Sequence, residues 1–325
     1  MAKFVGRRVS AQIAKETSRG GGPAGNTTYG LPFDSFSFDD KIDEAVRGSA
    51  LGRIEMPEES FVIGKFAEGD FESEIRDQSF GLLLLALYGA RSTAGPTDSA
   101  YTHTFTVDNT AQHDSLALKV ADPNQTILFK LLMLNSLTVN ITLDEVATFA
   151  ANFVSKASVA SSGTITFAAE NKFHRKHVSC RVADTTSGLT AASNLSVKNI
   201  TLNFNKNLMR DNVLRTAAPE DILNQAMAID GELTLNYEDQ TWKNYMLNNT
   251  GKALRVRLTN SDATIGAGAT NPYIDFQFDN VNFFDWEPDR SLDDIVSQTI
   301  SFRANYDLTN SSQSRAVLVN GVTTY

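Results

Sequence analysis

The feature that most constrains this chain is an internal repeat. Residues 77–80 (Asp-Gln-Ser-Phe) align with residues 239–242 (Asp-Gln-Thr-Trp) at an offset of 239 − 77 = 162. The same offset aligns other residues without a gap: Arg53 with Arg215, Pro57 with Pro219, Gly69 with Gly231, and Gly89 with Gly251. Self-similarity at a fixed spacing indicates one supersecondary unit used twice. The sequence therefore predicts two tandem copies of one fold.

A second matching block ends each copy. Residues 148–153 (Thr-Phe-Ala-Ala-Asn-Phe) match residues 301–306 (Ser-Phe-Arg-Ala-Asn-Tyr) at an offset of 302 − 149 = 153. The first offset also carries three residues near the start of one copy onto the other: Phe38, Asp40 and Ile42 onto Ile200, Leu202 and Phe204. The two offsets differ, so the copies match at their beginning and end but differ in length in the segments between. Such differences arise by insertions in loops.

The length of 325 residues fits about two domains. We expect an N-terminal arm at 1–30, a first domain at 31–160, and a second domain at 161–325 that opens with a connecting arm at 161–196. Three consecutive glycines, Gly20 to Gly22, predict a hinge within the N-terminal arm. The long segments 45–59 and 207–221 show no periodicity and predict loops, either contact loops or mobile surface loops.

Strand signals dominate both copies. Apolar and polar residues alternate over 34–38, 70–75, 137–143, 197–204, 232–237 and 253–258, as expected for antiparallel strands with one face in a core. One short helix interrupts each set, at 77–89 and 239–251, with an aspartate at its start and a glycine at its exit. The predicted fold class is mainly β, two tandem sandwich or barrel domains with one short α-helix each.

Charge and composition exclude several classes of protein. Lys and Arg number 29 against 38 Asp and Glu, so a general phosphate-neutralising surface is not expected. The single cysteine, Cys180, cannot form an intramolecular disulfide. The longest apolar run, 82–88, is far shorter than the roughly 20 residues that span a bilayer, and no apolar run follows the basic N-terminus, so neither a membrane segment nor a secretory signal is expected.

Sites for chemistry are not evident. His174, His177 and Cys180 offer metal ligands, but residues i and i+3 of a strand point to opposite faces and no fourth ligand lies nearby. The Gly-rich segment 20–25 lacks the Gly-Lys-Ser/Thr ending of a phosphate loop. Four histidines form no recognisable local triad. We therefore expect no catalytic residue, no cofactor and no bound metal.

A group of carboxylates stands out instead. Glu68, Asp70, Glu72 and Glu74 fall on one face of a predicted strand, and Glu232 and Glu238 occupy matching or nearby places in the second copy. An acidic wall repels a polyanion and lets it slide, so these residues are candidates for the lining of a channel. An ordinary solvated outer face explains them equally well.

The order of these features resembles a known family. Residues 7–20 (Arg-Arg-Val-Ser-Ala-Gln-Ile-Ala-Lys-Glu-Thr-Ser-Arg-Gly) precede a strand, a long loop, an acidic strand and a short helix that ends in Leu-Tyr-Gly at 87–89. This pattern resembles the tail tube proteins of bacteriophages with long, non-contractile (siphovirus-type) tails. The resemblance implies a small β-sandwich with a flanking helix, six of which complete a ring whose inner strands close into a barrel.

For a chain with two such domains, the resemblance implies trimeric, pseudo-hexameric rings that stack into the tail tube, a channel for DNA delivery. It also implies that rings contact one another through the N-terminal arm and the long loops. The candidate contact residues by position are Arg7, Arg8, Arg53, Glu55, Arg215 and Glu220. The chain would then be a structural protein of the virion rather than an enzyme.

The partners that the resemblance implies are further copies of the chain and the tape-measure, tail terminator and tail tip proteins. Double-stranded DNA would pass through without specific binding, and the protein would be made in the host bacterial cytoplasm. Three alternatives stay open: the inner tube of a contractile tail or secretion system, a β-sandwich adhesin or binding module of the virion, and a β-rich enzyme. An adhesin would be expected to cluster exposed aromatic residues, yet the chain has two tryptophans, Trp242 and Trp286.

Overall fold

The computed structural model describes residues 3–56, 59–266, 268, 270–292 and 295–325, with the side chains of residues 26 and 27 left out. The predicted fold class is confirmed, because antiparallel strands dominate and two short α-helices interrupt them. The strands are β1 (Ser10–Glu16), β2 (Pro23–Leu31), β3 (Ser35–Phe36), β4 (Asp39–Arg47), β5 (Glu59–Glu74), β6 (Gly89–Thr97), β7 (Ala100–Val107), β8 (Leu116–Ala121), β9 (Thr126–Ile141), β10 (Thr148–Lys156), β11 (Val159–Ala160), β12 (Val178–Ala183), β13 (Val197–Asn205), β14 (Met209–Asp211), β15 (Asp221–Leu223), β16 (Ala228–Asn236), β17 (Lys252–Thr259), β18 (Tyr273–Asp289), β19 (Ser297–Ala304) and β20 (Ser314–Asn320). The helices are α1 (Phe80–Tyr88) and α2 (Thr241–Leu247).

One antiparallel sheet runs through both copies of the repeat, and we call it the main sheet. In the first copy, β3 and β4 pair in succession with β5, which pairs with β10, and β10 pairs with the C-terminal half of β9. In the second copy, β13, β16, β19 and the C-terminal half of β18 follow in the same order. Pairing of β9 with β13 joins the two halves, so the chain supplies eight strand positions, four from each copy.

The two longest strands carry the chain from the main sheet into an outer layer. The N-terminal half of β9 pairs with β8, which continues to β1 and β2. The break lies near Leu131, whose φ of 55° is in the left-handed region. In the second copy, the N-terminal half of β18 pairs with β17 and then β12, and on its other side with β20. Strands that switch sheets at a bend are how two β layers share one core.

The hydrophobic core is continuous between the copies, and α1 lies within it. All nine residues of α1 are buried. The Phe80 ring lies 5.5 Å from that of Phe149 in the first copy and 6.5 Å from that of Phe276 in the second. A helix that is apolar on every side is stable only when protein covers every side. By contrast, α2 buries mainly Trp242, which packs on Phe283 at 5.3 Å.

The ends of α1 are held differently from the sequence-based expectation. Asp77 is not the cap; its buried carboxylate accepts hydrogen bonds from the backbone and side chain of Asn171. The carboxylate of Glu170 instead accepts the free N–H groups of Gln78 and Ser79, at 3.2 and 2.6 Å. Gly89 does form the exit, with φ 83°. Glu170 therefore fixes the two residues that lead into the helix, while the N–H groups of Gly81 and Leu82 in its first turn bond locally to Gln78 O and Ser79 O.

The expected N-terminal arm is largely part of the fold. Within 1–30, residues 10–30 belong to the β1–β2 hairpin, whose Ala11 and Ile13 are buried. The glycines expected to form a hinge make its tight turn, with positive φ at Gly20 and Gly22. Similarly, the expected connecting arm at 161–196 contains β12, which pairs with β17 as β1 pairs with β8.

The two long segments also differ from simple loops. In 45–59, β4 continues to Arg47 and β5 begins at Glu59, so the segment is the end of a long hairpin. In 207–221, β14 and β15 pair to form a small separate hairpin. That second hairpin packs against the first, because the Lys65 N–H donates to Ala217 O at 2.7 Å and the Arg210 guanidinium lies 3.2 Å from the Asp43 carboxylate.

A buried lysine joins the two copies at the C-terminal end of α1. Lys206, directly after β13, is 1% exposed, and its Nζ donates to Ala86 O in the last turn of the helix at 2.6 Å. A cation at this end satisfies a free carbonyl and complements the helix dipole. Burial lowers the pKa of Lys206 to about 7, and Arg19 adds a smaller effect of the same sign.

This lowered pKa gives a test of the junction. The folded chain binds fewer protons than the unfolded chain between pH 7 and the ordinary lysine pKa near 10.4, so the Lys206 contribution to stability increases as pH rises through this window. The expected gain is about 1.4 kcal/mol for each unit of pKa shift. Urea unfolding of the natural chain and of Lys206→Met at pH 7 and pH 10 measures it. An equal difference in unfolding free energy at both pH values would contradict the buried position of Nζ.

Candidate functional site

The carboxylates singled out in the first copy lie together on β5. Glu68, Asp70 and Glu72 are exposed and alternate with inward residues such as Phe71, which is 2% exposed. Glu74 continues the row but is partly buried, with its Oε2 2.8 Å from Arg76 and 2.6 Å from Lys172. The structure therefore places all four on one face of the main sheet, which we call the polar face.

Hydrogen-bonded rows extend this face across neighbouring strands. The Asn152 amide on β10 donates to Asp70 Oδ1 at 2.8 Å and accepts from Asn135 at 3.0 Å. A second row crosses the junction between the copies. These side-chain rows connect strands that are far apart in sequence, as cross-strand pairs on one face of a sheet do.

The row across the junction links Thr138 on β9, Asn203 on β13 and Asp230 on β16. The Thr138 hydroxyl donates to Asn203 Oδ1 at 3.0 Å, and the Asn203 amide donates to Asp230 Oδ1 at 3.1 Å. The polar face is thus continuous from the first copy into the second. Its acidic residues are spaced by neutral amides and hydroxyls.

In the second copy, the two carboxylates that the sequence predicted for the acidic row do not lie together. Glu232 lies on β16, exposed, and directly opposite Ser301 on β19. Glu238 lies beyond the end of β16, in the turn before α2, so it does not extend the row. The difference arises because β16 ends at Asn236, two residues before Glu238.

Two further carboxylates on this face were missed. Asp285 pairs with Ser301 and Glu287 pairs with Thr299, so both continue the rows onto β18. The Thr234 and Thr299 hydroxyls, 3.3 Å apart, show that these residues share one face. The alternation in residues 285–289 (Asp-Trp-Glu-Pro-Asp) was an available signal, although its proline hid the strand.

The six candidate contact residues do not form one cluster. Arg7 and Arg8 lie in an exposed 3₁₀ turn, Gly6–Arg8, ahead of β1. Arg53 and Glu55 are exposed at the end of the β4–β5 hairpin. Arg215 and Glu220 are exposed in the loop between β14 and β15. They therefore occupy three separate surfaces of one chain.

The histidine pair has a different geometry from the one assumed for a strand. His174 precedes a 3₁₀ turn, Arg175–His177, which brings the two imidazole rings to 3.9 Å between centroids. Their Nε2 atoms lie 3.6 and 3.2 Å from Asp262 Oδ2. These three residues are the group of potential metal ligands in the described part of the chain, and Cys180 is not one of them.

Hydrogen bonds hold this group as a clasp between two segments. The His174 N–H donates to His177 Nδ1 at 3.2 Å, so His177 carries its proton on Nε2 and donates it to Asp262. Burial lowers the pKa of His177, and the nearby Lys176 ammonium, 2.5 Å away, lowers the pKa of Asp262. A metal ion would have to displace both the Nε2 proton and the lysine.

The described helices include none that is long and apolar enough to cross a membrane.

The fold and the polar face define a class of protein: a two-copy antiparallel β protein with one broad polar sheet face and two unpaired sheet edges. The comparison with protein families makes this specific. The model of the family described as phage tail tube protein matches residues 6–304, and the chain therefore belongs to the phage tail tube protein family. A search of curated proteins finds no match. The resemblance seen in the sequence is confirmed, and the family is one of structural components of the virion tail.

The exposed carboxylates are expected to contribute little to folding. Replacing Glu68, Asp70 and Glu72 together by Gln, Asn and Gln keeps their size and the acceptor for Asn152, so the free energy of unfolding should change by less than about 0.5 kcal/mol. Glu74→Gln is the matched control and should cost about 1 kcal/mol, because Arg76 and Lys172 lose a charged partner. Chemical unfolding of the unassembled chain measures both. A loss above about 2 kcal/mol in the triple variant would show that the row exists for folding.

Proposed function

We propose that the chain polymerises as stacked trimeric rings into the tube of a long, non-contractile phage tail, and that its polar face lines the channel through which DNA is delivered. The observation that carries this proposal is the pairing of β9 with β13 inside one chain. This contact joins the last strand position of one copy to the first strand position of the next. A head-to-tail contact of this kind generates a ring when the rotation closes.

The repeat relates this internal junction to the two free edges of the main sheet. Gly69 and Gly231 occupy equivalent positions in the two copies. A Cβ on Gly69 would lie 2.5 Å from Ser37 O, between β3 and β4, and a Cβ on Gly231 would lie 2.5 Å from Thr201 O on β13. Phe38 is therefore equivalent to Leu202, two residues away from the alignment that the 162 offset gave. The insertion between the first two strands accounts for the shift.

The other edge follows from the last two strands. Phe149 pairs with Ser73 on β5 and with Val139 on β9. Its counterpart is Gln298, which pairs with Leu235 on β16, the equivalent of Ser73, and with Pro288 on β18. Val139 pairs with Leu202 at the internal junction. By equivalence, Pro288 of one chain pairs with Phe38 of the next chain. Residues 286–289 of β18 then extend antiparallel along residues 37–40.

Three chains that repeat this contact complete a barrel of eight strand positions each, 24 in all. At a spacing of about 4.8 Å between strands, the barrel has a circumference of at least about 115 Å. Barrels of 16 to 18 strands already hold an aqueous channel. Closure also removes the unpaired edges, which otherwise template aggregation.

The polar face is the side that fits a lumen. The opposite face of the main sheet is covered by α1, α2 and the outer strands, and this bulk can be accommodated only outside the barrel. Glu68, Asp70, Glu72 and Glu232 then face the DNA, with Asp285 beside them. Like charge prevents adhesion of the duplex, and Arg303, an exposed cation on the same face, lies directly opposite the Asp230 carboxylate.

Under this proposal the chain catalyses nothing and its partners are its own copies, together with the tape-measure, terminator and tip proteins of the tail. The virion is its final location, after synthesis in the host cytoplasm. The tandem arrangement favours a non-contractile tail over the inner tube of a contractile tail or secretion system. These assignments rest on the family and on the repeat.

Cysteine cross-linking tests the ring contact and its register. Asp289 and Ser37 are the equivalents of Asn140 and Thr201, which pair directly at the internal junction. Both are exposed in the single chain. In the double variant Ser37→Cys/Asp289→Cys, mild oxidation of the assembled protein is expected to give covalent trimers that run as closed species on denaturing gels. The natural Cys180 is not expected to form a disulfide under these conditions, because it is buried and burial raises the pKa of its thiol to about 12.

The matched control is Ile42→Cys/Asp289→Cys, whose positions are also exposed but whose first cysteine lies five residues along the edge, about 17 Å away. It should cross-link poorly. Efficient cross-linking of the control in place of the test pair would refute the register, and no cross-linking of either pair in assembled protein would refute ring closure by these edges.

The channel assignment is tested in phage particles. Replacing Glu68, Asp70 and Glu72 by lysine should leave tail length normal but slow DNA ejection, since each phosphate contact that forms adds about 0.9 to the slope of log affinity against log salt. Ejection should recover at high salt. The control is Asp144→Lys/Glu145→Lys, two exposed carboxylates in the loop after β9. Ejection kinetics equal to those of the natural phage at low salt would place the carboxylates outside the channel.

A further inference from the structure

The internal junction between the two copies carries neutral polar side chains on the polar face. The Thr138 hydroxyl on β9 donates to Asn203 Oδ1 on β13 at 3.0 Å, and one row further Ser136 lies directly opposite Asn205. None of these four side chains is charged. On this face the junction therefore combines backbone pairing with hydrogen bonds between uncharged groups.

At the C-terminal edge of the main sheet, two carboxylates take the places of the neutral residues of β9. The equivalence that was found for Pro288 on β18 makes Glu287 the counterpart of Thr138 and Asp285 the counterpart of Ser136. Both carboxylates are exposed. This edge is therefore acidic where the matching strand of the internal junction is neutral.

At the N-terminal edge, one carboxylate and one ammonium take the places of the two asparagines of β13. The equivalence that was found for Phe38 makes Asp39 the counterpart of Asn203 and Lys41 the counterpart of Asn205. Both side chains are exposed. Where the internal junction has four neutral residues, the two free edges together carry three carboxylates and one ammonium.

Lys41 and Asp285 have no ionic partner within the described part of the chain. The ion pairs of the described residues include neither of them. On the neighbouring strands, Lys41 lies opposite Phe66 and Asp285 lies opposite Ser301, which are both neutral. The positions equivalent to Lys41 and Asp285 pair directly at the internal junction, so a second copy can bring these two opposite charges together.

We propose that Lys41 of one copy forms an ion pair with Asp285 of the next copy in the ring, and that Glu287 faces Asp39 in the adjacent row. This inference rests on the proposed ring contact and assigns the side chains that set its register. The ion pair attracts the two edges. The carboxylate pair weakens their contact, because like charges directly opposite each other destabilise paired strands.

Slippage of the two edges by two residues is the error that these charges oppose. A shift of one residue turns every side chain to the other face, whereas a shift of two residues preserves the faces, so side-chain pairs must oppose it. In one direction, the shift sets Asp285 opposite Asp39 and leaves Lys41 opposite Phe283, which is buried. The ion pair is then lost and a repulsion remains.

In the other direction, the shift gives Lys41 a carboxylate partner in Glu287, but it adds a second repulsion. Asp289 then lies opposite Asp39, and Asp285 lies opposite the next aspartate of β4. Of the three registers, the one that follows from the internal junction combines an ion pair with a single repulsion. Charge and backbone equivalence therefore favour the same register.

Charge reversal tests the ion pair in the Ser37→Cys/Asp289→Cys background. Lys41→Asp and Asp285→Lys should each raise the protein concentration at which half of the chains form the covalent trimer, by about threefold or more, because the proposed ring repeats this exposed pair at each contact. The combined variant should restore the original concentration. The matched control is Lys65→Asp, which makes the same change of charge on the neighbouring strand but on the opposite face, and it should have no effect.

A second pair of substitutions copies the internal junction. Glu287→Thr and Asp39→Asn together replace the repulsive pair by the residues found at the internal positions, and they should lower the same concentration by about threefold. Chemical unfolding of the unassembled variants should give the free energy of the parent, because all four substituted side chains are exposed. A higher concentration for the Glu287→Thr/Asp39→Asn variant would contradict the repulsion.

The cross-link distinguishes failure of this inference from failure of the proposed ring. If the parent double-cysteine variant forms the trimer, but Lys41→Asp has no effect or the combined reversal gives no rescue, the ion pair is overturned and the ring contact stands. If the assembled parent forms no cross-link, the ring contact is contradicted and the ion pair with it.

Discussion

The backbone pairing of β9 with β13 is the interaction on which the rest of this structure depends. It converts two copies of a four-strand unit into one sheet, with Val139 opposite Leu202 at its centre. It also brings the two copies close enough to enclose α1, which is buried along its whole length. Without that pairing, α1 would expose an apolar side, and Lys206 would have no reason to be buried beside Ala86.

The same pairing leaves the chain with an unfinished sheet. Every strand position of the main sheet except the first and last has a partner on both sides, and the two exceptions are the surfaces that the internal junction uses. In a monomer, an unpaired sheet edge promotes aggregation. In a polymer, a strand of the neighbouring subunit can pair with that edge. The chain belongs to the phage tail tube protein family, and we therefore propose that neighbouring copies pair with these edges.

Much of the fold could be predicted from the sequence, because its strands alternate and its repeat preserves landmarks such as Gly69 and Gly231. The N-terminal hairpin could not, since the polar residues of β1 and the glycines of its turn have the composition of an arm, and only pairing with β8 gives the strand a place. The two-residue shift of Phe38 also escaped, because hairpin length does not show in an ungapped alignment.

The candidate site, like the fold, could be predicted from the sequence only in part. The acidic row on β5 followed from alternation within one strand, a local signal. The amides that continue it, Asn152 and Asn203, depend on which strands become neighbours, and that order joins Asn152 to a residue 82 positions away and Asn203 to one 65 positions away. Glu238 was assigned to the row because the end of β16 could not be fixed from sequence, and the histidine clasp was missed because a 3₁₀ turn replaced the assumed strand.

The central proposal is that neighbouring chains pair with the two free edges of the main sheet. Electron cryo-microscopy of the assembled protein measures this pairing most directly. The proposed assembly requires three chains in each ring, 24 strands around one lumen, and residues 286–289 of one chain hydrogen-bonded to residues 37–40 of the next. A map in which either edge remains solvent-exposed inside the assembly, or in which the lumen is bounded by the outer strands instead, would contradict it.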